Sequence, residues 1–262
     1  MLETMSSSVA LRWEDLTWPE IPDVLVACGQ AVLLPLGATE QHGPHLGTGV
    51  DSCIATHVCA AVSARLRVPL LPTVSYGCSH GHSKHWPGTL SLSPRTLIAV
   101  LSEIGEWLHA SGVRRLFFVS AHVTNAAPMR CALEELRSRF DDLMVAAIST
   151  PDISLRVRAV FDADALDWHA NAAETSLLMV LSPPAVRPHL LATGDDPDRT
   201  TGLQFAHPVH HTSRNGTTGF PSQASENAGQ ELFGWMVDDL CTRVQAGLSE
   251  NPPLTVPSKP IL

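Results

Sequence analysis

The chain has 262 residues, 44% of them apolar, enough to bury one sizeable core near the upper limit for a single domain. Its 17 basic against 26 acidic side chains give a formal net charge of −9 with no block of Lys or Arg, which excludes the basic footprint of a nucleic-acid binder. Six scattered cysteines with no C-x-x-C pair exclude a disulfide scaffold, and no apolar run approaches the roughly eighteen residues that span a bilayer.

In chain order, residues 1–20 read as an irregular N-terminal arm, with Trp13 and Trp18 expected to clip it to the body. A fully apolar run, 31–36, reads as a buried strand, followed by a helix over 52–66 and a strand at 68–72. A Gly/His/Pro-rich loop covers 76–94. Its Ser93-Pro94 looks like an N-cap with proline at the first helical position, opening a helix over 95–110. A second buried strand, 116–119, leads through Ser120-Ala121 to His122, and then come a helix at 126–140 and a strand at 143–148. Residues 150–166 read as a partly helical excursion. The helix that carries Glu174 through Leu181 stops at Pro183-Pro184. Residues 185–223 form a loop-rich segment, long enough to suggest a function. A last amphipathic helix spans 224–245, and 250–262 is a C-terminal tail.

The strand–helix–strand rhythm predicts one α/β domain over 1–262, a three-layer α/β/α sandwich around a mostly parallel sheet. With no leader-like pattern at its start, the chain is expected to be cytoplasmic, with reduced thiols and no membrane or nucleic-acid partner. Cys78, near the candidate site, reads as a small buried hydrophobe rather than a reactive thiol.

The densest packet of chemistry is Glu40-Gln41-His42-Gly43-Pro44-His45, which leaves the first strand and is followed by Asp51. Two carboxylates and an imidazole surround a cation only if the intervening loop folds back, which Gly43, Gly47 and Gly49 permit. His122 ends the later strand, and parallel topology brings such strand ends together. His169 and Glu174 are five apart. In a continuous helix that offset leaves them roughly 140° apart, so His169 is expected to precede the helix that holds Glu174. Three carboxylates and two or three imidazoles exceed what one tetrahedral zinc accepts, so two divalent cations are expected, zinc, manganese or iron. Water held between two such ions loses a proton near neutrality and becomes a nucleophile. An imidazole also titrates near neutrality, which makes His169 a candidate general acid, with a supporting role beside a metal ligand as its alternative.

Residues 34–46 with Asp51 resemble the signature of the creatininase family of metal-dependent amidohydrolases. Tyr76-Gly77 through Pro87-Gly88-Thr89, His122 with Asn125, His169-Ala170 with Glu174-Thr175-Ser176, and Asn215-Gly216 through Pro221 continue the likeness in order. The resemblance implies an α/β/α fold, a homo-oligomer of the hexamer type, and hydrolysis of a C–N bond in a small amide, cyclic amide or formamide. It implies one ion on Glu40, Asp51 and His122, and a second on His42, a bridging Asp51 and a further glutamate, for which Glu174 is the candidate. His169 matches the family's proton-shuttling histidine.

Two departures stand beside the likeness. Creatininases proper carry a glutamate where this chain has Thr124, which argues against creatinine itself. The glycines usual around the His122 motif are replaced by Ala121, Val123 and Thr124, so the pocket is expected to differ. His82, His85, Trp86, Thr124, Asn125 and Trp168 are candidates for its wall; His80 and the pair His210-His211 are as readily polar loop residues. Two other readings stay open: a C–C hydrolase or isomerase acting on a small keto compound with the same metals, and a family member that binds metal without turnover.

Overall fold

A computed structural model describes residues 9–82 and 84–254. The outermost parts of the expected N-terminal arm and C-terminal tail, 1–8 and 255–262, lie outside the described residues.

The secondary structure runs α1 (Ile21–Ala27), β1 (Ala31–Leu36), α2 (Val50–Leu66), α3 (Pro94–Ala110), β2 (Arg115–Ser120), α4 (Ala126–Arg139), β3 (Met144–Ser149), α5 (Leu155–Phe161), α6 (Ala172–Leu181), two short helices α7 (Leu191–Gly194) and α8 (Val209–Thr212), and α9 (Glu226–Ser249). The strands form a parallel sheet in the order β1-β2-β3, with Leu36 in register with Ser120 and Ser120 with Ser149. Their C-terminal ends therefore finish level with one another.

Alternation along the strands divides the core into two layers. Ala31, Leu33, Phe117 and Val119 face a cluster shared with α2, α5, α6 and α9. Val32, Leu34, Leu36, Leu116 and Phe118 face a second cluster formed with α1, α3 and α4. The expected three-layer α/β/α arrangement is the observed one.

Ser93 caps α3, accepting from Thr96 N at 3.1 Å, with Pro94 at the first helical position. The excursion at 150–166 contains α5, capped by Ser154. The stretch expected as a strand at 68–72 runs parallel to β1 but forms only isolated bridges, Leu33 with Leu70 and Leu36 with Val74. Pro69 and Pro72 lack the N–H groups that a continuous ladder requires. The arm expectation is corrected in one respect. Trp13 packs against the second cluster and its N–H donates to Leu70 O at 2.8 Å, whereas Trp18 is 82% exposed and clips nothing.

Candidate metal centre

The chain delivers its polar side chains to the C-terminal edge of the sheet from four directions. Glu40 and His42 follow β1, Asp51 is the second residue of α2, His122 follows β2, and Glu174 sits in the first turn of α6. His169 lies before α6, as the five-residue offset requires, and is held by paired backbone hydrogen bonds with Thr218. Asn171 caps α6 through Ala173 N and Glu174 N, and its own amide is fixed by Phe161 O and Asp164. Ala170 adopts φ 52°, which turns its N–H onto Glu174 Oε2 at 2.7 Å and leaves Oε1 facing His42.

The six side chains gather in one buried cluster. His122 Nδ1 is 3.3 Å from Glu40 Oε1 and 3.5 Å from Asp51 Oδ2. His42 Nε2 is 3.6 Å from Asp51 Oδ1, 3.8 Å from Glu174 Oε1 and 4.0 Å from Glu40 Oε1. Donor atoms converge in the set Glu40, Asp51, His122, again in the set His42, His169, Glu174, and in a third, Glu40, His82, His169. The first set is the one the resemblance implies. The second places His169 where the resemblance implied the bridging Asp51, and these first two sets meet at the His42–Asp51 contact.

Cations suit these residues on two observations. Glu40 Oε2, His42 Nε2 and Asp51 Oδ2 are buried without a hydrogen-bond partner, a costly arrangement unless something else satisfies them. Each histidine also turns its outer ring nitrogen to a carbonyl: His42 Nδ1 to Glu40 O at 3.2 Å, His122 Nε2 to Cys78 O at 3.0 Å, and His169 Nε2 to Gln41 O at 2.8 Å. A carbonyl only accepts, so the N–H lies on the outside and the lone pair points into the cluster, the tautomer a metal ligand needs.

His82 has the opposite polarity. The Gln41 amide is oriented at both ends, Oε1 accepting from Gly43 N at 2.9 Å and Nε2 donating to Gly216 O at 2.9 Å. Its remaining N–H meets His82 Nδ1 at 3.0 Å, which places the lone pair there. His82 Nε2–H then points at Glu40 Oε1, 3.4 Å away. His82 is thus a donor into the site. Sequence reading offered it only as a wall residue and missed Gln41, whose partner Gly216 lies 175 positions away.

Gly216 has φ +88°, and a methyl group there would overlap Gln41 Oε1. Gly216→Ala should therefore cost about 1–3 kcal/mol of stability and release His82 from the amide. Thermal unfolding and turnover measured together check this; a variant matching the parent in both would show that Gln41 is not fixed from this side.

The remaining candidates divide. Thr124 and Trp168 line a cavity of about 710 Å³ above the cluster, together with His82 and Val123. The Thr124 hydroxyl also reaches His122 Nε2 and Cys78 O, so the residue found in place of a glutamate supports a histidine. Asn125 is corrected from wall to scaffold. Fully buried, it accepts from Cys78 N at 2.9 Å and donates to Gly37 O at 3.0 Å. His85 and Trp86 also leave the wall, because they pack in an outer ring cluster with His210. The six cysteines are free, and burial raises the Cys78 thiol, against a thiolate role.

Burial raises the Asp51 carboxyl, and the charge of Glu40 adds to it, to about 6 against the pull of His42 and His122. Burial acts to lower His122, but Glu40 and Asp51 outweigh it and hold the ring protonated up to about 9. Burial acts to lower His42 as well, but Asp51 and Glu174 outweigh it and raise its ring well above its ordinary value. Cations must displace the protons of both rings, so loading should weaken as pH falls and should release protons from His42 and His122 near neutrality. Calorimetric titration with zinc in buffers of different ionisation enthalpy reads that release. Loading with no proton release would contradict the assignment of His42 and His122.

Among the described residues no helix is long and apolar enough to cross a membrane. Residues 14–244 match the family model described as "Creatininase: Creatinine amidohydrolase". The chain is 32% identical over 232 residues to the mycofactocin precursor peptide peptidase of Mycobacterium tuberculosis, covering 84% of this chain and 86% of that protein. It is 32% identical over 267 residues to the creatinine amidohydrolase of Pseudomonas putida, covering 95% and 100%. A crystal structure of creatinine amidohydrolase superposes with a TM-score of 0.79 at 27% identity, covering 92% of this chain and 99% of the other. Fold, site and relatives together define a hydrolase of the α/β/α class. The chain belongs to the creatininase family.

Proposed function

We propose that the protein is a two-cation hydrolase that cleaves the C–N bond of an amide, cyclic amide or formamide. The observation that carries this reading is the convergence of Glu40, His42, Asp51, His122 and Glu174, with buried donor atoms left unsatisfied at its centre. Glu40, Asp51 and His122 would hold one cation. His42 and Glu174 would hold the other, with Asp51 between the two. When bound, a pair of zinc, manganese or iron ions would supply Lewis acidity, which acidifies water and polarises a carbonyl.

The chain's own groups would do the rest. His169 is pushed down to about 4 by burial and the charge on His42, so it is neutral in the physiological range. Its Nδ1 lone pair faces the cluster while Nε2–H is tied to Gln41 O, so Nδ1 is the atom that would take up a proton and return it to the leaving nitrogen. His82 Nε2–H would present a hydrogen bond to Glu40 or to an oxygen that gains charge in the reaction. Val123, Thr124 and Trp168 would exclude water from one side of the cavity.

A second reading, cleavage of a peptide C–N bond, is favoured by the cavity itself. Its volume of about 710 Å³ matches sites for ligands much larger than a single small ring, and one relative acts on a precursor peptide. A turnover screen of metal-loaded protein over lactams, formamides, primary amides and short peptides, run in ¹⁸O-labelled water and read by product mass, tests both. The expected products are an amine and an acid that carries one labelled oxygen. Fragments that divide at a C–C bond, or no product from any class, would overturn the reading.

A further inference from the structure

Soluble proteins leave some large apolar side chains in water, and singly these carry no message. Here four of them, Val123, Leu166, Leu203 and Phe205, are 48%, 66%, 50% and 79% exposed and line the same cavity. They come from three separate stretches: the turn after β2, the approach to His169, and the segment between α7 and α8. The floor of that cavity is Glu40, Asp51, His122, His169 and Glu174. The apolar surface is thus continuous with the cluster.

Two charged groups on the same wall, Arg158 and Asp198, are already engaged. Arg158, the sole Lys or Arg among the described lining residues, is paired with Asp152 at 2.8 Å and Asp162 at 2.7 Å. Asp198 accepts from Leu166 N and Asp167 N, each at 3.2 Å, and from Thr200 N and Oγ1, each at 2.7 Å, which fastens the 198–205 segment to the stretch before His169. A substrate carboxylate would meet no spare guanidinium or ammonium there and would face Asp152, Asp167 and Asp198. An apolar group would remove four hydrocarbon side chains from water. Contiguous exposed apolar surface of this kind marks a binding site.

We propose that this wall is a subsite for an uncharged aryl or branched alkyl group carried by the amide that is cleaved. The inference rests on the hydrolase reading above and narrows its substrate class to amides with a bulky apolar substituent. Leu203 and Phe205, on the loop-rich segment, set that preference.

The test uses the full, metal-loaded chain and two parts. In the first, kcat/KM is compared for amides that differ only in carrying a methyl or a benzyl group; benzyl should be favoured at least about tenfold, and L203A/F205A should reduce that ratio by a similar factor. Both side chains stand half-exposed or more, so the double variant leaves the packed core intact, which far-UV circular dichroism verifies. In the second, acetohydroxamate and phenylacetohydroxamate are titrated calorimetrically, with no turnover needed. If no amide is turned over but phenylacetohydroxamate binds at least about tenfold tighter, and L203A/F205A erases the difference, the hydrolase reading fails and the subsite stands. Equal affinity for the two hydroxamates, or a difference that survives the double substitution, overturns the subsite. A change of sedimenting mass in L203D/F205D with the hydroxamate ratio unaltered assigns the wall to contact between copies of the chain and also overturns it.

Discussion

Asp51→Ala should yield a folded protein that retains neither cation, with turnover reduced by at least about a thousandfold, since removing Lewis-acid stabilisation forfeits several kcal/mol of the barrier reduction. Asp51 is where the two donor sets meet, its Oδ2 near His122 Nδ1 at 3.5 Å and its Oδ1 near His42 Nε2 at 3.6 Å. Loss of the carboxylate leaves two buried imidazoles without their shared anion. The substitution also takes a carboxyl out of a crowded acidic cluster, so thermal stability of the metal-free form should fall little or rise. Elemental analysis after gel filtration in metal-free buffer gives the count. Two ions retained would show that Asp51 is not shared.

His169→Gln should behave differently: both cations kept, kcat lowered by about 10²–10⁴, the range expected when a positioned proton carrier is removed. Gln retains polarity and approximate reach but cannot be protonated. The ring of His169 packs 4.4 Å from those of His42 and His82, between centroids, and its Nδ1 is 3.8 Å from Glu40 Oε1. That proximity makes the metal count decisive. Loss of a cation equal to that in Asp51→Ala would make His169 a ligand, replacing its role as proton carrier with one in holding the second ion beside His42 and Glu174.

Much of the architecture was legible from local pattern. The apolar runs at 31–36 and 116–119 are buried strands of the sheet, and the Ser93-Pro94 start and the Pro183-Pro184 stop bound real helices. Period and punctuation suffice for such elements because burial on both faces leaves little choice. The edge of the sheet was less legible, since Pro69 and Pro72 break the ladder while the segment keeps its place beside β1.

For the site, the residue types and the strand-end logic located the acids and imidazoles that the structure brings together. Tautomer and polarity were not legible. They depend on carbonyls and amides distant in the chain, as Gly216 and Gln41 show for His82. Side-chain direction escaped as well: Trp18, His85 and Trp86 are as aromatic in the sequence as Trp168, yet only Trp168 reaches the cavity. The apolar wall of Leu166, Leu203 and Phe205 comes from segments with no periodicity to mark them.

The most direct measurement is anomalous diffraction from crystals of the protein soaked in manganese, recorded at a wavelength where manganese scatters anomalously. The account predicts two peaks per chain, one among Glu40, Asp51 and His122 and one beside His42 and Glu174, with Asp51 touching both. No peak within this cluster, or a lone ion bound elsewhere on the chain, would contradict it.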